Sequence, residues 1–355
     1  MKWNLRVLKA VAKALLLSSL WAHFAMAVEN SNLEKGNKAY ENGDYWKATT
    51  NFKKACNDGV SEACAHLGVI YENGQGTRPD YKKAFNFYEK ACEMNSKEGC
   101  SGLGGLYDEG LGVKQDYQKA INFYRKACTL KDPRACFNIG IIYDRRVLGN
   151  YNEAIVFYRK SCIMGVGEGC YILGTIYEEG LKVKKSYLQS VIFYRKACDL
   201  KSGDACHSIG IMFKYGEGVF QDLEQAHEYL KRACELNSRE GCASLGVMYM
   251  QGEYIKKNYH TALEYFQKAC EMGSGVSCSR VGYMYAQGDA VGKDMRKALD
   301  NYERGCDMGD DRGCFALAGI YYNNKDNDNA IRIYDKGCRL GMKQACDNAS
   351  RLKGF

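Results

Sequence analysis

Two cysteines separated by seven residues recur nine times along the chain, and this spacing constrains the fold more than any other feature. The first cysteines of successive pairs are 36, 36, 34, 36, 36, 36, 36 and 32 residues apart. A nearly fixed period of this length is the signature of a solenoid, in which each repeat packs only against its neighbours. The pairs, which include all 18 cysteines, are Cys56 with Cys64, Cys92 with Cys100, Cys128 with Cys136, Cys162 with Cys170, Cys198 with Cys206, Cys234 with Cys242, Cys270 with Cys278, Cys306 with Cys314 and Cys338 with Cys346.

Residues 1–27 differ in composition from the repeats. A basic segment from Lys2 to Lys13 precedes the apolar stretch 14–20, and Ala25-Met26-Ala27 forms a small-x-small cleavage motif. This order is typical of a secretory signal peptide; the alternative is a buried N-terminal helix. Because disulfides persist in oxidising compartments, the many cysteines agree with export. We therefore expect a secreted protein, periplasmic or extracellular, with no membrane anchor after signal removal.

The composition limits the classes of partner. Residues 1–27 hold four basic and no acidic residues, so the formal net charge of +8 falls to about +4 in the mature chain. Such a charge on a chain of this length does not predict binding to nucleic acid or to an anionic membrane. Pro79 and Pro133 are the only prolines, and helix formers are abundant. We expect a soluble, all-helical protein that is a monomer in solution.

The first half of each repeat predicts a short helix. Counted from the second cysteine of each pair, small or apolar residues recur at +3, +4 and +7, as in Leu67, Gly68 and Tyr71. This spacing places them on one helical face with the cysteine. Glycine at +4, replaced by Ala318 in one repeat, costs about 1 kcal/mol relative to alanine in a helix. Its recurrence predicts that two helices approach too closely there for a Cβ.

The second half of each repeat predicts a helix that begins at a capping residue. An apolar stripe follows the cap, as in Tyr81, Ala84 and Tyr88, and Gly-x-Gly elements suited to positive φ lie between the two helices. Each cysteine pair therefore straddles the turn from one repeat to the next. The predicted N-caps of these helices are Asp44, Asp80, Asp116, Asp222, Asn258 and Asp294, and Asp132 is the predicted cap of a helix that follows the turn between repeats.

The cysteine pairs are predicted to be structural. Eight residues along one helix would separate two cysteines by about 12 Å, beyond disulfide reach, whereas the two can meet across an antiparallel turn. A zinc site would favour spacings of two to four residues, and a redox-active pair would favour Cys-x-x-Cys. We expect one disulfide per pair, each contributing about 2.5 kcal/mol by closing a short loop.

The repeat pattern resembles that of a known family. Alanine, Leu-Gly, tyrosine, Gly-x-Gly, Asp-Tyr-x-Lys-Ala and Tyr-x-Lys-Ala occur in this order, as in Sel-one-like repeats, which are relatives of the tetratricopeptide repeat. With its cysteine pairs and signal peptide, the chain looks like the secreted Helicobacter cysteine-rich protein (Hcp) family over about residues 30–350. The resemblance implies an all-α fold: an α/α superhelical solenoid of about nine helix pairs with a disulfide at each helix junction.

We expect residues 28–355 to form a single α-solenoid domain after the signal peptide. The trimmed loops near Arg145-Arg146 and Asn323–Asp328 look more like those of tetratricopeptide units. The predicted parts of the domain are a cysteine-poor repeat at 28–56, Sel-one-like repeats at 57–342 and a C-terminal capping helix at 343–355.

The resemblance also implies an activity that the residues do not independently support. Members of the family are similar to proteins labelled as penicillin-binding proteins or β-lactamases, which act on penicillin- and cephalosporin-core derivatives. A serine β-lactamase would show Ser-x-x-Lys together with Ser-Asp-Asn and Lys-Thr-Gly. Only the first motif is present, from Ser350 to Lys353 at the extreme C-terminus. No catalytic residue is therefore assigned.

No metal or cofactor is predicted. The histidines of the mature chain are not spaced as metal ligands, and the Gly-x-Gly elements lie between helices with no preceding strand, unlike a phosphate-binding loop. We expect ordinary surface or interface roles for these histidines, which are His66, His207, His227 and His260.

The alternative function is a non-catalytic binding scaffold. Solenoids expose a concave surface, usually lined by the first helix of each repeat, on which positions +2, +5 and +9 point away from the core. Residues at these positions vary between repeats, as a non-repeating ligand would require, but unconstrained surface drift gives the same pattern. The candidate groove comprises His66, Asn73, Asn138, Arg145, Ser208, Tyr215, Ser244, Gln251, Arg280 and Gln287.

Two classes of partner fit such a scaffold. β-Lactams resemble the D-alanyl-D-alanine end of cell-wall peptides, so a β-lactam and a cell-wall peptide could share one groove. A host or envelope protein is the other class, since an exposed lysine recurs on the second helices. A solvated helix face would carry such lysines too. These lysines are Lys90, Lys126, Lys160, Lys196 and Lys268.

Overall fold

The structure is a computed structural model that describes residues 31–147, 149–181 and 183–354, except the side chains of 145–147. The predicted signal peptide, residues 1–27, lies outside the described residues. All regular secondary structure in the described ranges is helical, which confirms the all-α prediction. No helix in these ranges combines the length and the apolar character needed to cross a membrane.

The helices belong to two compact units, one ending at Val166 and the other beginning at Gly167. Within each unit, helices that are consecutive in the chain contact each other, as in an α/α solenoid. The first unit contains α1 (described over 31–41), α2 (Tyr45–Asn57), α3 (Ser61–Asn73), α4 (Tyr81–Glu93), α5 (Lys97–Glu109), α6 (Tyr117–Thr129), α7 (Pro133–Ile141) and α8 (Tyr151–Ile163). The second unit contains α9 (Gly167–Glu179), α10 (Tyr187–Asp199), α11 (Gly203–Tyr215), α12 (Leu223–Glu235), α13 (Arg239–Gln251), α14 (Tyr259–Glu271), α15 (Gly275–Gln287), α16 (Met295–Asp307), α17 (Asp311–Asn323), α18 (Asn327–Arg339) and α19 (Lys343–Lys353).

Side-chain caps determine where the helices begin. Asp80 Oδ1 accepts a hydrogen bond from the backbone N–H of Lys83 at 3.0 Å, and Asp132 caps α7 with Pro133 at the first helical position. These bonds satisfy amides that the first turn of a helix leaves without intrahelical partners. The other predicted caps also accept backbone N–H groups, and they are Asp44, Asp116, Asp222, Asn258 and Asp294.

The connections within repeats differ where the cysteine spacing is short. A full-length repeat ends its first helix at a left-handed glycine, such as Gly74 with φ 65°, whose N–H donates to the Ile70 carbonyl. In the repeat with the 34-residue spacing, α7 instead continues into a π-helical segment, Ile142–Val147. In the last repeat, the residues between α17 and α18 include no glycine. The trimmed loops therefore replace the glycine turn.

Disulfides join consecutive helices across the turns between repeats, as predicted. Cys92 near the end of α4 is bonded to Cys100 in the first turn of α5. In this pair and seven others the two Cα atoms are 4.5–5.0 Å apart. The seven others are Cys56 with Cys64, Cys128 with Cys136, Cys198 with Cys206, Cys234 with Cys242, Cys270 with Cys278, Cys306 with Cys314 and Cys338 with Cys346.

The remaining cysteines agree with the same pattern. Cys162 and Cys170 are also disulfide-bonded, and the described residues contain no free cysteine. Each second cysteine lies in the first turn of the helix that follows its turn, from Cys64 in α3 to Cys346 in α19. The disulfide part of the fold prediction is therefore confirmed.

Glycine at +4 makes room for a side chain of the second helix of its own repeat. A Cβ on Gly68 would lie 2.3 Å from the Tyr88 ring, and one on Gly246 would lie 2.7 Å from the Phe266 ring. Both rings are buried. The close approach predicted at this position thus exists, but at Gly68 and Gly246 the atoms that exclude a Cβ belong to an aromatic ring and not to a facing helix backbone.

Buried tyrosines also hydrogen-bond to carboxylates on the first helix. The Tyr88 hydroxyl donates to Glu72 Oε2 at 2.5 Å, and the Tyr194 hydroxyl donates to Glu178 Oε2 at the same distance. Burial, and then these carboxylates, raise the pKa of both phenols, and burial raises the pKa of Tyr302 to about 12. These hydroxyls therefore keep their protons at a pH where an unfolded tyrosine, with a pKa of about 10, ionises.

We expect the protein to lose stability as the pH rises above about 10. The unfolded state then releases phenolic protons that Tyr88, Tyr194 and Tyr302 retain when folded, so their contribution is complete below pH 10 and is lost as pH approaches the folded pKa. In a titration followed by tyrosinate absorbance, exposed tyrosines should ionise first, and the buried ones should ionise together with loss of helical circular dichroism. Ionisation of all 27 tyrosines in one step with the helices intact would contradict this expectation.

Candidate ligand-binding surface

The candidate groove residues of the second unit lie on the first helices of successive repeats. Positions +2 and +9 are two helical turns apart and share a face. Helix α11 contacts α13, and α15 contacts α17, so first helices of neighbouring repeats lie side by side. The +9 residues Tyr215, Gln251 and Gln287 are exposed. The +2 residues Ser208, Ser244 and Arg280 are half-buried.

The +2 side chains are half-buried because they contact the preceding repeat. Ser244 Oγ lies 3.1 Å from His207 Nε2, and the Arg280 guanidinium carbon lies 5.4 Å from the centroid of the Phe266 ring. Burial lowers the pKa of His207, against the opposing effect of nearby carboxylates. The +2 residues thus connect neighbouring repeats, whereas the +9 residues are accessible to a ligand.

The remaining candidate residues belong to the first unit. His66 stacks on the Phe52 ring with the centroids 4.9 Å apart, so it too contacts the preceding repeat. Asn138 is half-buried and Asn73 is exposed. Arg145 lies in the π-helical segment, and its side chain is outside the described residues.

A cavity of about 300 Å³ lies among α13, α15, α16 and α17 of the second unit. Its lining includes one predicted groove residue, Arg280, and two residues that the sequence analysis did not select, Tyr283 and Arg312. Tyr283 occupies position +5, and Arg312 lies two residues before Cys314. The repeat pattern could have indicated Arg312, because five other repeats carry an acidic residue at the same position, two residues before the second cysteine.

The described residues contain no assembled catalytic or metal centre of the kinds considered. Ser350 of the Ser-x-x-Lys motif is exposed, and the Lys353 ammonium donates to both Asp335 carboxylate oxygens at 2.8 and 2.9 Å. No hydrogen bond joins Ser350 to Lys353 in this part of the chain, so the pairing expected of a nucleophile and its base is not formed. Within the described ranges, no group of three His, Cys, Asp or Glu residues is placed to hold a metal ion.

Two family models match the chain. The model described as Tetratricopeptide repeat matches residues 311–340, in agreement with the trimmed loop at Asn323–Asp328. The segment with the trimmed loop at Arg145-Arg146 instead lies within a match to the model described as Sel1 repeat. The Sel1 matches cover residues 61–96, 97–132, 133–166, 167–202, 203–238, 239–274 and 275–310.

Among curated proteins, the chain is similar to the candidate beta-lactamase HcpE of two Helicobacter pylori strains. The identities are 59% and 58%, each over 75 residues, which are 21% of this chain and 21% of the relative. The match thus spans about a fifth of the length of the curated relatives. Together with the bonded cysteine pairs, it favours an extracytoplasmic location.

Solved structures show the same fold. The c5321 protective antigen of uropathogenic Escherichia coli, which displays an SLR fold, has a TM-score of 0.74 and 26% identity, over 99% of this chain and 76% of that one. A Sel1 repeat protein from Oxalobacter formigenes has a TM-score of 0.65 and 23% identity, over 86% and 90% of the two chains. Because Sel1 matches cover well over half of the sequence and a cysteine pair bridges its repeats, the chain belongs to the Sel1 repeat family, in the cysteine-rich form known from Helicobacter.

Proposed function

We propose that the protein, exported by the signal peptide at residues 1–27, is a non-catalytic scaffold that binds an extended peptide on the first helices of its repeats. One contrast carries this proposal. Position +3 is a buried Leu, Ile or Val in each repeat, whereas the exposed position +9 changes from Asn73 to Tyr215 to Gln287. A solenoid surface of this kind offers a different contact to each successive part of a ligand.

A cell-wall peptide is the ligand class that we favour. An exported protein shares its compartment with such peptides, and their D-alanyl-D-alanine end resembles a β-lactam, the ligand class in the name of the HcpE relatives. One groove would then account for both chemistries. A host or envelope protein is the other partner class, and it becomes the next candidate when cell-wall peptides do not bind.

Fluorescence polarisation with a labelled muropeptide ending in D-alanyl-D-alanine tests the scaffold. We expect the oxidised protein to bind it, and the triple variant Tyr215→Ala, Gln251→Ala, Gln287→Ala to bind at least about tenfold more weakly, as expected for central interface side chains. A matched triple variant on the exposed face of α12 should bind normally: Gln225→Ala, Glu228→Ala and Lys231→Ala. No binding, or an equal loss in both variants, would reject the cell-wall ligand on this surface.

β-Lactam turnover is the second candidate function, favoured by the name of the HcpE relatives. We expect no turnover of a chromogenic cephalosporin, because Lys353 is engaged by Asp335 and forms no hydrogen bond with Ser350 in the described structure. Turnover that stays proportional to protein concentration after a contaminant check would establish an enzyme. Its disappearance in Ser350→Ala would identify Ser350 as the nucleophile.

A further inference from the structure

The cavity of the second unit lies where two arginines replace the residues that other repeats carry. The +2 position is serine in the two preceding repeats but Arg280 at the cavity. Val276 and Arg312, which also line the cavity, each lie two residues before the second cysteine of a pair. Because several other repeats fold with acidic or small side chains at these positions, packing does not require the arginines. The acidic residues equivalent to Val276 and Arg312 are Glu62, Glu98, Glu168, Asp204 and Glu240.

The two guanidinium groups leave the cavity with surplus positive charge. Within the described residues, no carboxylate oxygen lies within 4 Å of Arg280 or Arg312. Asp310, the acidic residue of the lining, is 7% exposed, and its Oδ2 accepts the backbone N–H of Gly313 as a helix cap. Burial lowers the pKa of Arg280, and the neighbouring charge of Arg312 lowers it further, against the opposing effect of the Asp310 carboxylate. An anion in the cavity would relieve this repulsion.

Apolar and aromatic side chains form the other side of the cavity. Val276 is 50% exposed and Tyr283 is 51% exposed, so both reach solvent at its opening, while Tyr302 is buried behind them. The Arg280 guanidinium lies over the Phe266 ring, an arrangement that is favourable for a planar cation. The cavity therefore places a cationic group beside an apolar wall.

We propose that this cavity binds the C-terminal carboxylate of a peptide whose last side chain is apolar. The proposal rests on the scaffold function and names the end of the ligand that is recognised. Arg280 and Arg312 donate N–H groups to the carboxylate oxygens, and Val276 and Tyr283 pack against the side chain. A volume of about 300 Å³ is at the lower end for small-molecule sites and fits a chain end. An internal peptide segment brings no anion to the two arginines.

Isothermal titration calorimetry on the oxidised mature protein tests the proposal, with acetyl-Ala-Ala-Phe as the free acid and as the amide. We expect the acid to bind at least about tenfold more tightly than the amide. Arg312→Glu and Arg280→Ser, which restore residues found in other repeats, should each remove this preference without lowering the thermal transition. Arg134→Glu is the matched control, because Arg134 occupies the position equivalent to Arg312 but faces a preceding repeat with Gly102 in place of Arg280, and it should change nothing.

Three results would overturn the proposal: equal binding of acid and amide, an equal loss in Arg134→Glu and Arg312→Glu, or no binding of either probe. Benzylpenicillin provides a second source of a carboxylate beside an apolar group. Its displacement of the peptide, lost in Arg312→Glu, would support the site and add β-lactams to its ligands, whereas no displacement supports the peptide alone. The scaffold proposal fails separately, when the triple variant at Tyr215, Gln251 and Gln287 binds the labelled muropeptide as tightly as the native protein while the preference for the acid is kept.

Discussion

Reduction of the disulfides is expected to abolish cooperative folding of the helices at 37 °C. Each bonded pair closes a short loop in the unfolded chain, which contributes about 2.5 kcal/mol on the chain-entropy model. The stability of a solenoid is approximately a sum over repeats and their interfaces, so the loss of a disulfide at successive junctions accumulates along the chain. Since net domain stabilities are about 5–15 kcal/mol, removal of all the pairs exceeds that margin.

Circular dichroism of oxidised protein and of reduced, alkylated protein measures this effect. We expect a cooperative thermal transition well above 37 °C only in the oxidised form, and an unchanged transition after alkylation would contradict the expectation. Variants that remove a single disulfide should differ in transition temperature according to how deeply that disulfide is buried. Alanine at both Cys270 and Cys278 removes a fully buried interior pair, whereas alanine at both Cys338 and Cys346 removes a half-buried pair beside the last helix. The interior variant should therefore have the lower transition temperature.

The features that could be predicted from the sequence depend on residues close together in the chain. A solenoid is built from contacts within one period, so the cysteine spacing was sufficient to locate the junctions. Capping by Asp80 and burial of Leu245 follow from residues within one or two turns of the same helix. These local patterns repeat, and each repeat therefore confirms the interpretation of the others.

The cavity at Arg280 and Arg312 depends on information that the period does not contain. The two residues belong to α15 and α17, and they meet because the first helices of adjacent repeats lie side by side with a particular offset. Comparison of equivalent positions would have shown that Arg312, like Arg134, departs from the acidic residues of five other repeats, but it would not have identified its neighbour. The offset between α15 and α17, which brings Arg280 and Arg312 to the same cavity, can be known only from the structure.

The hydrogen bond between Tyr88 and Glu72 was missed for a different reason. In the sequence pattern, Tyr88 is recognisable only as part of an apolar stripe, which assigns no role to its hydroxyl. A buried hydroxyl requires a hydrogen-bond partner, so a search for polar residues on the first helix was justified from the sequence. Likewise, the recurrence of glycine at +4 indicated a close approach, but it did not distinguish a ring from a helix backbone.

Replacement of Gly104 by alanine is expected to destabilise the protein, whereas replacement of the adjacent Gly105 is expected to stabilise it. A Cβ on Gly104 would lie 2.6 Å from the Tyr124 ring, while the nearest atom to a Cβ on Gly105 is the Tyr124 hydroxyl oxygen at 3.7 Å. Overpacking costs about 1–3 kcal/mol, more than the gain of about 1 kcal/mol from removing a glycine inside a helix. At Gly105 the added methyl group meets no close atom, so only the gain from removing a helical glycine applies.

Urea unfolding of the two variants, combined with Tyr124→Leu, separates the ring contact from helix propensity. Leucine is the natural substitute, because Leu230 faces Gly210 at this place in another repeat. If the ring is the cause, Gly104→Ala will cost less in the Tyr124→Leu background than beside the native Tyr124, and the difference between the two costs measures the coupling. A shift in the same direction for both alanine variants, or zero coupling, would show that glycine recurs at +4 for another reason. A positive coupling would mean that position +4 accepts a residue larger than glycine only where the facing side chain is smaller than the Tyr124 ring.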